Sequence, residues 1–225
     1  MGTEVGRYAG RKARERATRC AEVLVAARRL YAEKGYQATT MAEVARASEL
    51  AIGTLYELFP SKEAILFRLL EEQIDRLLAR LREAADTGTD ARRQIEAVVQ
   101  THLGFARANA DLLRLYLSGW IGYDPAVRRR VGGALDAKYE AYLELLADVL
   151  RRGIRAGLFA RRPVRALAVG LAGMVHALIR RSLVEPDLDL LAEGEGLLEL
   201  FLHGALARER GGRDPARAAR RKAGA

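Results

Sequence analysis

The chain has 225 residues, half of them apolar, with a formal net charge of +9. A single cysteine, Cys20, excludes an intramolecular disulfide and points to a cytoplasmic setting. No apolar signal core opens the chain, and the longest apolar run, ALAVGLAGMVHALI, falls short of the roughly 18 residues needed to span a membrane, so no membrane partner is expected. The charge excess lies at the two ends. Residues 1–19 carry +4 and residues 208–225 carry +5, while the stretch between is neutral. Basic ends suit a polyanion, most often nucleic acid. The C-terminal run RERGGRDPARAARRKAGA also reads as a solvated, disordered tail, because it has no Leu, Ile, Val or Phe.

Strong helix formers dominate the composition, and no stretch alternates like a strand. An all-α fold follows. The first helix is expected from about Arg14 to Lys34, with Val23, Leu24, Ala27, Leu30 and Tyr31 on one face and Gly35 as the stop. Thr40 with Glu43 three residues on is a capping box, opening a two-turn helix that ends near Ala47. A tight connection, Ser48–Leu50, leads to a third helix from Ala51 to about Leu58. Pro60 closes it. Ser61 then caps a long fourth helix with an apolar stripe of Ile65, Leu66, Leu69, Leu70, Ile74, Leu77, Leu78 and Leu81. After the turn-rich ADTGTD, helices are expected at about 91–108, 111–120, 125–157, 163–183 and 189–210, with Gly132-Gly133 a candidate kink in the third of these.

Two short helices joined by about three residues and buttressed by a preceding helix match the helix-turn-helix pattern, whose second helix enters the major groove. Two residues look out of place. Gly53 sits inside a helix, at a cost of about 1 kcal/mol relative to alanine. Lys62 sits at a helix start, where a cation opposes the macrodipole. A DNA groove explains Gly53, since the backbone can then approach closely. Close packing of the second and third helices explains it equally.

The run EKGYQATTMAEVARASELAIGTLYELFPSKEAIL resembles the N-terminal domain of the TetR family of bacterial transcriptional regulators. Gly35-Tyr36, Thr39-Thr40, Val44-Ala45, Gly53-Thr54-Leu55-Tyr56 and Phe59-Pro60-Ser61-Lys62-Glu63 carry the resemblance, over about residues 12–70. It implies a basic arm at 1–13, a helix-turn-helix domain at 14–62, a helical effector-binding and dimerisation domain at 63–207, and the basic tail at 208–225. The implied DNA contacts are Thr39, Thr40, Tyr56 and Lys62 towards phosphates, and Ala51, Ile52, Gly53 and Thr54 towards base edges. Arg46 is a further candidate for a guanine or a phosphate, or else an exposed helix charge. Two positions depart from the family's habit of glycine in the turn and serine at the cap, and hold Glu49 and Ala51. The loss of the cap is worth about 1 kcal/mol.

The resemblance also implies a homodimer through the last two long helices. Leu167, Gly170, Leu171, Met174 and Leu178 on the first of them, with Leu198, Phe201, Leu202 and Ala205 on the second, are the candidate interface. Core packing within one chain is the other use for them. Aromatics cluster between Phe105 and Tyr142. Ile74, Leu77, His102, Phe105, Tyr116, Trp120, Tyr123, Tyr139 and Tyr142 are candidate walls of a site for a small, hydrophobic effector that releases a repressor from a palindromic operator. A ligand-independent DNA-binding protein of the same fold is the alternative. No nucleotide-binding, hydrolase or zinc-protease motif is present, and His102, His176 and His203 are far apart in sequence. No cofactor, metal or enzymatic activity is expected.

Overall fold

The structure is a computed structural model that describes the backbone of residues 2–88, 90–117 and 125–205, and the side chains among them except those of 2–9, 115–134 and 205. Among the described residues there are nine helices and no β-strand: α1 Gly2–Lys34, α2 Met41–Ala47, α3 Ile52–Leu58, α4 Lys62–Asp86, α5 Ala91–Ala108, α6 Ala110–Leu117, α7 Pro125–Arg155, α8 Val164–Val184 and α9 Leu190–Ala205. The all-α expectation holds, with three corrections. Helix α1 begins at Gly2, not near Arg14. The basic residues of that stretch are good helix formers, and nothing breaks the helix before it meets its apolar face. Helix α7 runs unbroken through Gly132-Gly133. Helix α8 is 21 residues long with a mean hydropathy of 1.4 over an 18-residue window, so by length and composition it could cross a membrane. The C-terminal tail lies outside the described residues.

The chain divides into two compact units. The first comprises residues up to Ala79 together with Phe105–Glu140, and the second Arg80–Gly104 together with the chain from Ala141. In the first unit α1, α2, α3 and the start of α4 close over one apolar cluster: Val23, Leu24, Ala27, Tyr31, Tyr36, Val44, Ala45, Leu55, Phe59, Ile65, Leu66, Phe67, Leu69 and Leu70. Most of these are positions the helical periodicity of the sequence selects, joined by Tyr36 from the turn after α1 and Phe67 on α4. Local chemistry ends the helices where the cluster needs them to turn. Gly35 takes φ +85° after α1. Thr40 caps α2 in a complete capping box.

The end of α2 is a Schellman motif. The Leu50 amide donates to the Ala45 carbonyl at 2.9 Å, and the Glu49 amide donates to that of Arg46 at 3.2 Å. The motif puts Glu49 at φ +56°, the only non-glycine residue with positive φ among the described residues. The left-handed region costs an L-residue with a Cβ about 1 kcal/mol. The strain is tolerated because Leu50, the next residue, then packs against the apolar cluster.

In the second unit the cores of α5, α7, α8 and α9 are buried, with Val98, Val99, Leu146, Leu150, Leu171 and Val175 each fully enclosed. Two glycines permit close approach. A Cβ on Gly153 would lie 2.2 Å from the Phe159 ring, and one on Gly194 would lie 2.2 Å from Leu103 Cδ1. The Arg152 guanidinium bridges two elements, donating to Gln94 Oε1 at 3.0 Å and to the Ala85 carbonyl at 3.2 Å.

Replacing Glu49 by glycine removes the backbone strain and touches no packed side chain. Glu49→Gly is therefore expected to raise stability by about 1 kcal/mol, read as a higher urea midpoint with an unchanged slope. A lower midpoint would show that the Glu49 side chain contributes more than its backbone costs.

Candidate nucleic-acid interface

The exposed face of α3 is defined by exclusion. In α3, Leu55 is fully buried and Phe59 closes the helix from below, so the opposite face must point to solvent. That face carries Ala51, Ile52, Gly53 and Tyr56, all exposed, with Thr54 half-buried at its edge. Ile52 is 45% exposed and Tyr56 51%, unusual for large apolar side chains with nothing to cover them. Ala51 supplies no side-chain cap, as its methyl group dictates.

Gly53 now has one use rather than two. A Cβ there would meet no atom within 4 Å, so the glycine is not required for α2 and α3 to pack. The packing explanation falls away, and what remains is a bare backbone on the exposed face of a groove-sized helix. The Tyr56 hydroxyl has no partner among the described residues. Arg46 is also exposed on α2, and its guanidinium pairs with no acid there.

Thr40 is exposed at the α2 N-terminus. Its amide donates to Glu43 Oε2 at 2.8 Å, its hydroxyl donates to the same oxygen at 2.8 Å, and the Glu43 amide donates back to the hydroxyl at 3.3 Å. Lys34, paired with Glu43, does most to lower that carboxyl's pKa, to about 2, with help from the Thr40 amide and hydroxyl.

Two of the implied phosphate contacts have side chains engaged within the chain. Thr39 is 1% exposed, and its hydroxyl donates to the Gly35 carbonyl at 2.8 Å. It serves the end of α1 and has no surface for DNA. Lys62 is also occupied. Its ammonium donates to the carbonyls of Tyr36 at 2.7 Å, Thr39 at 2.9 Å and Gln37 at 3.2 Å, and lies 4.3 Å from the centre of the Tyr36 ring. An ammonium has three N–H donors, and all three are used. Around it, the Tyr36 hydroxyl donates to Glu63 Oε1 at 3.1 Å, and the Tyr31 hydroxyl donates to the Lys62 carbonyl at 3.4 Å. Burial pushes the Glu63 carboxyl up, but its own amide, Ser61, Tyr36 and the Lys62 charge together bring it below the usual range. Burial, and then the nearby Glu63, raises both tyrosines.

Of the candidate effector residues, Ile74 and Leu77 are half-buried on α4, Phe105 is half-buried on α5, and Tyr139 is partly exposed on α7. Tyr116 lies on α6, with its side chain outside the described residues, as are Trp120 and Tyr123 altogether. In the second unit, His102 Nδ1 and the Tyr142 hydroxyl share a hydrogen bond of 3.1 Å, both side chains being buried. His176 lays one ring face on Tyr142 and its edge on His102 while keeping the rest at the surface. Burial, with the nearby His176, holds the His102 pKa down at about 3, so its imidazole is neutral at physiological pH. The sequence offered no sign that His176 joins this pair, because 74 positions separate it from His102. No group of side chains suited to a metal occurs among the described residues.

Of the candidate interface residues, Leu171, Leu178, Leu198, Phe201 and Leu202 are buried within the chain, Leu178 also lining the groove between α8 and α9. Leu167 and Met174 are half-buried and Gly170 is exposed, while the Ala205 side chain lies outside the described residues. The face that α8 and α9 leave to solvent is instead Ala166, Val169, Gly170, Gly173 and Ala177 with Gly196, Leu200 and Gly204. Between the two helices runs an open groove of about 680 Å3, lined by Met174, Ala177, Leu178, Asp189, Ala192, Glu193, Gly196, Leu197 and Leu200.

Two family descriptions match this chain: bacterial regulatory proteins of the tetR family over residues 23–69, and the tetracyclin repressor-like C-terminal domain over residues 88–180. The chain belongs to the TetR family of transcriptional regulators. It is a DNA-binding helix-turn-helix protein and not an enzyme. It is 29% identical to the transcriptional activator FasR of Mycolicibacterium smegmatis over 153 residues, which is 68% of this chain and 67% of FasR. It is 30% identical to the repressor KstR2 of Rhodococcus jostii over 142 residues, 61% of this chain and 66% of KstR2. Among solved structures it shares the fold of the regulator FadR from Bacillus subtilis in complex with stearoyl-CoA. The TM-score there is 0.67 at 24% identity, covering 82% of this chain and 98% of that one.

For a TetR-family regulator the exposed face of α3 carries a sharp consequence. Gly53→Ala adds a methyl group in open space and removes a helix-interior glycine. It is expected to stabilise the free protein by about 1 kcal/mol and to weaken specific DNA binding by about tenfold or more, since the methyl would stand between backbone and groove. Unfolding by urea and a fluorescence binding assay check the two opposite signs. An unchanged affinity would remove Gly53 from the reading face.

Proposed function

We propose that this regulator is a homodimeric cytoplasmic repressor. It binds a palindromic operator through α3 of each protomer and is released by a small hydrophobic effector. The observation that carries the DNA half of this reading is the exposed Ala51-Ile52-Gly53 face of α3, which nothing among the described residues covers. It holds no Arg, Lys, Asn or Gln, so recognition rests on thymine methyl contacts from Ile52 or Ala51, on Thr54, and on the shape of the groove. Arg46, exposed on α2, is the candidate cation for a guanine or a phosphate. Thr40 with the α2 amides, and the Tyr56 hydroxyl, meet phosphates.

The exposed face of α8 and α9 supports dimerisation. Small residues at Gly170, Gly173 and Gly196 let two helix pairs approach closely, and Val169 and Leu200 gain cover. A two-fold dimer then presents two reading helices to two half-sites.

The effector reading is supported by the second unit, where the buried His102–Tyr142 pair sets two polar groups among apolar side chains. A neutral imidazole and a phenol suit an uncharged polar group on an otherwise apolar molecule. The stearoyl-CoA bound to the Bacillus subtilis FadR supports a long acyl chain as the first candidate.

Two measurements test these readings. Leu200 is 70% exposed, so Leu200→Glu leaves the chain's own core untouched while placing a charge on the proposed dimer face. Sedimentation is expected to show monomers, with operator affinity at least tenfold weaker. A variant that stays dimeric places the interface elsewhere. Stearoyl-CoA titrated into a complex of the protein with its selected operator is expected to release the DNA. A complex indifferent to it, and to free long-chain fatty acid, favours a ligand-independent regulator or a different effector class.

A further inference from the structure

The fourth helix begins with a lysine whose charge faces inward. Lys62 Nζ lies within 3.2 Å of three carbonyls, all in the irregular turn between α1 and α2, where those oxygens have no helical partners. The turn feeds directly into Thr40, the cap of α2, and α2 sets α3 through the Schellman turn at Glu49. The same start of α4 is fastened twice more, by the Tyr31 hydroxyl to the Lys62 carbonyl and by the Tyr36 hydroxyl to Glu63. We propose that Lys62 is a positioning residue of DNA binding. It locks the start of α4 to the α1–α2 turn, so that α2 and α3 are presented in one fixed register, and it gives no charge to a phosphate. The inference rests on α3 being the groove helix.

The chemistry separates this role from the two others a helix-start lysine could have. A lysine on a phosphate releases about one counterion, so its loss lowers the slope of log K against log salt by about 0.9 and weakens all DNA sequences alike. A lysine that serves only the fold changes stability and leaves the affinity of the folded protein as it was. A positioning lysine changes the ratio between operator and random DNA at constant salt slope.

The test uses the full-length chain, an operator selected from random duplexes by the wild type, and Lys62→Met, which keeps the stem and removes the charge. Binding is measured well below the unfolding temperature of both proteins. The expected result is about a tenfold loss on the operator, little change on random-sequence DNA, and an unchanged salt slope on both. Tyr36→Phe, which removes the bond to Glu63 and no charge, is expected to move the same ratio in the same direction by a smaller factor. A slope reduced by about 0.9 per lysine with equal loss on both DNAs overturns the proposal, and so does a lower melting temperature with unchanged affinities. If the wild type selects no operator, the groove reading of α3 falls instead. The salt slope on random DNA then still decides whether Lys62 touches phosphate.

Discussion

The burial of Leu55 under α1, α2 and the start of α4 holds the reading helix in place, and most of the domain's local choices can be traced to it. Helix α3 has seven residues, no cap and a glycine in its first turn. Helices of that length do not persist alone in water, where even 12 to 15 good helix formers are marginal. Whatever stability α3 has must come from the two residues it buries, Leu55 and Phe59, and from the cluster that receives them. The cluster in turn is closed by α4, which starts only four residues beyond α3. The position of α4 therefore governs the reading face.

This dependence explains why locally unfavourable residues are tolerated. Glu49 at positive φ, Ala51 without a hydroxyl and Gly53 inside a helix each weaken α2–α3 by about 1 kcal/mol. None of them touches the apolar cluster. Their cost is borne by packing on the opposite face, and the exposed face is left free to be small. Lys62 is a different case. Its unfavourable place at a helix start is offset by three carbonyls of the irregular turn, one of which, that of Tyr36, also accepts from the Thr39 amide.

The helix-turn-helix was legible in the sequence because its signals are local. A capping box, a proline after a short apolar run and a 3.6-residue repeat each act within a few positions, and α2, α3, α5 and the core of α1 follow them closely. The role of Lys62 was not legible, because its carbonyl partners are 23 to 26 positions away and carbonyls leave no mark on a sequence. Thr39 and Thr40 look alike in the sequence, yet one is buried against Gly35 and the other caps α2. The faces of α8 were illegible for a further reason. The helix is apolar nearly all round, so periodicity cannot say which stripe is core. Of the residues chosen from the sequence, Leu171 and Leu178 are inward, Leu167 and Met174 half-buried and Gly170 outward, beside Ala166, Val169, Gly173 and Ala177.

That outward stripe also bears on what α8 faces. By length and hydropathy the helix could lie in a membrane, yet a third of its apolar window is already buried against its own chain. The residues that remain outside are mostly alanine and glycine, interrupted by His176, and Arg165, Arg180 and Arg181 stand near its ends. Lipid gains little from glycine. Another helix gains much, because backbones can come close and Val169 and Leu200 find cover. The same argument accounts for the groove beside Met174 and Leu197, whose rim carries Asp189 and Glu193. Both acids are already engaged within the chain, Asp189 accepting from the Leu191 and Ala192 amides at the start of α9 and Glu193 pairing with Arg181. Under the homodimer proposed above, a second copy is the cover that the small outward residues of α8 and α9 fit.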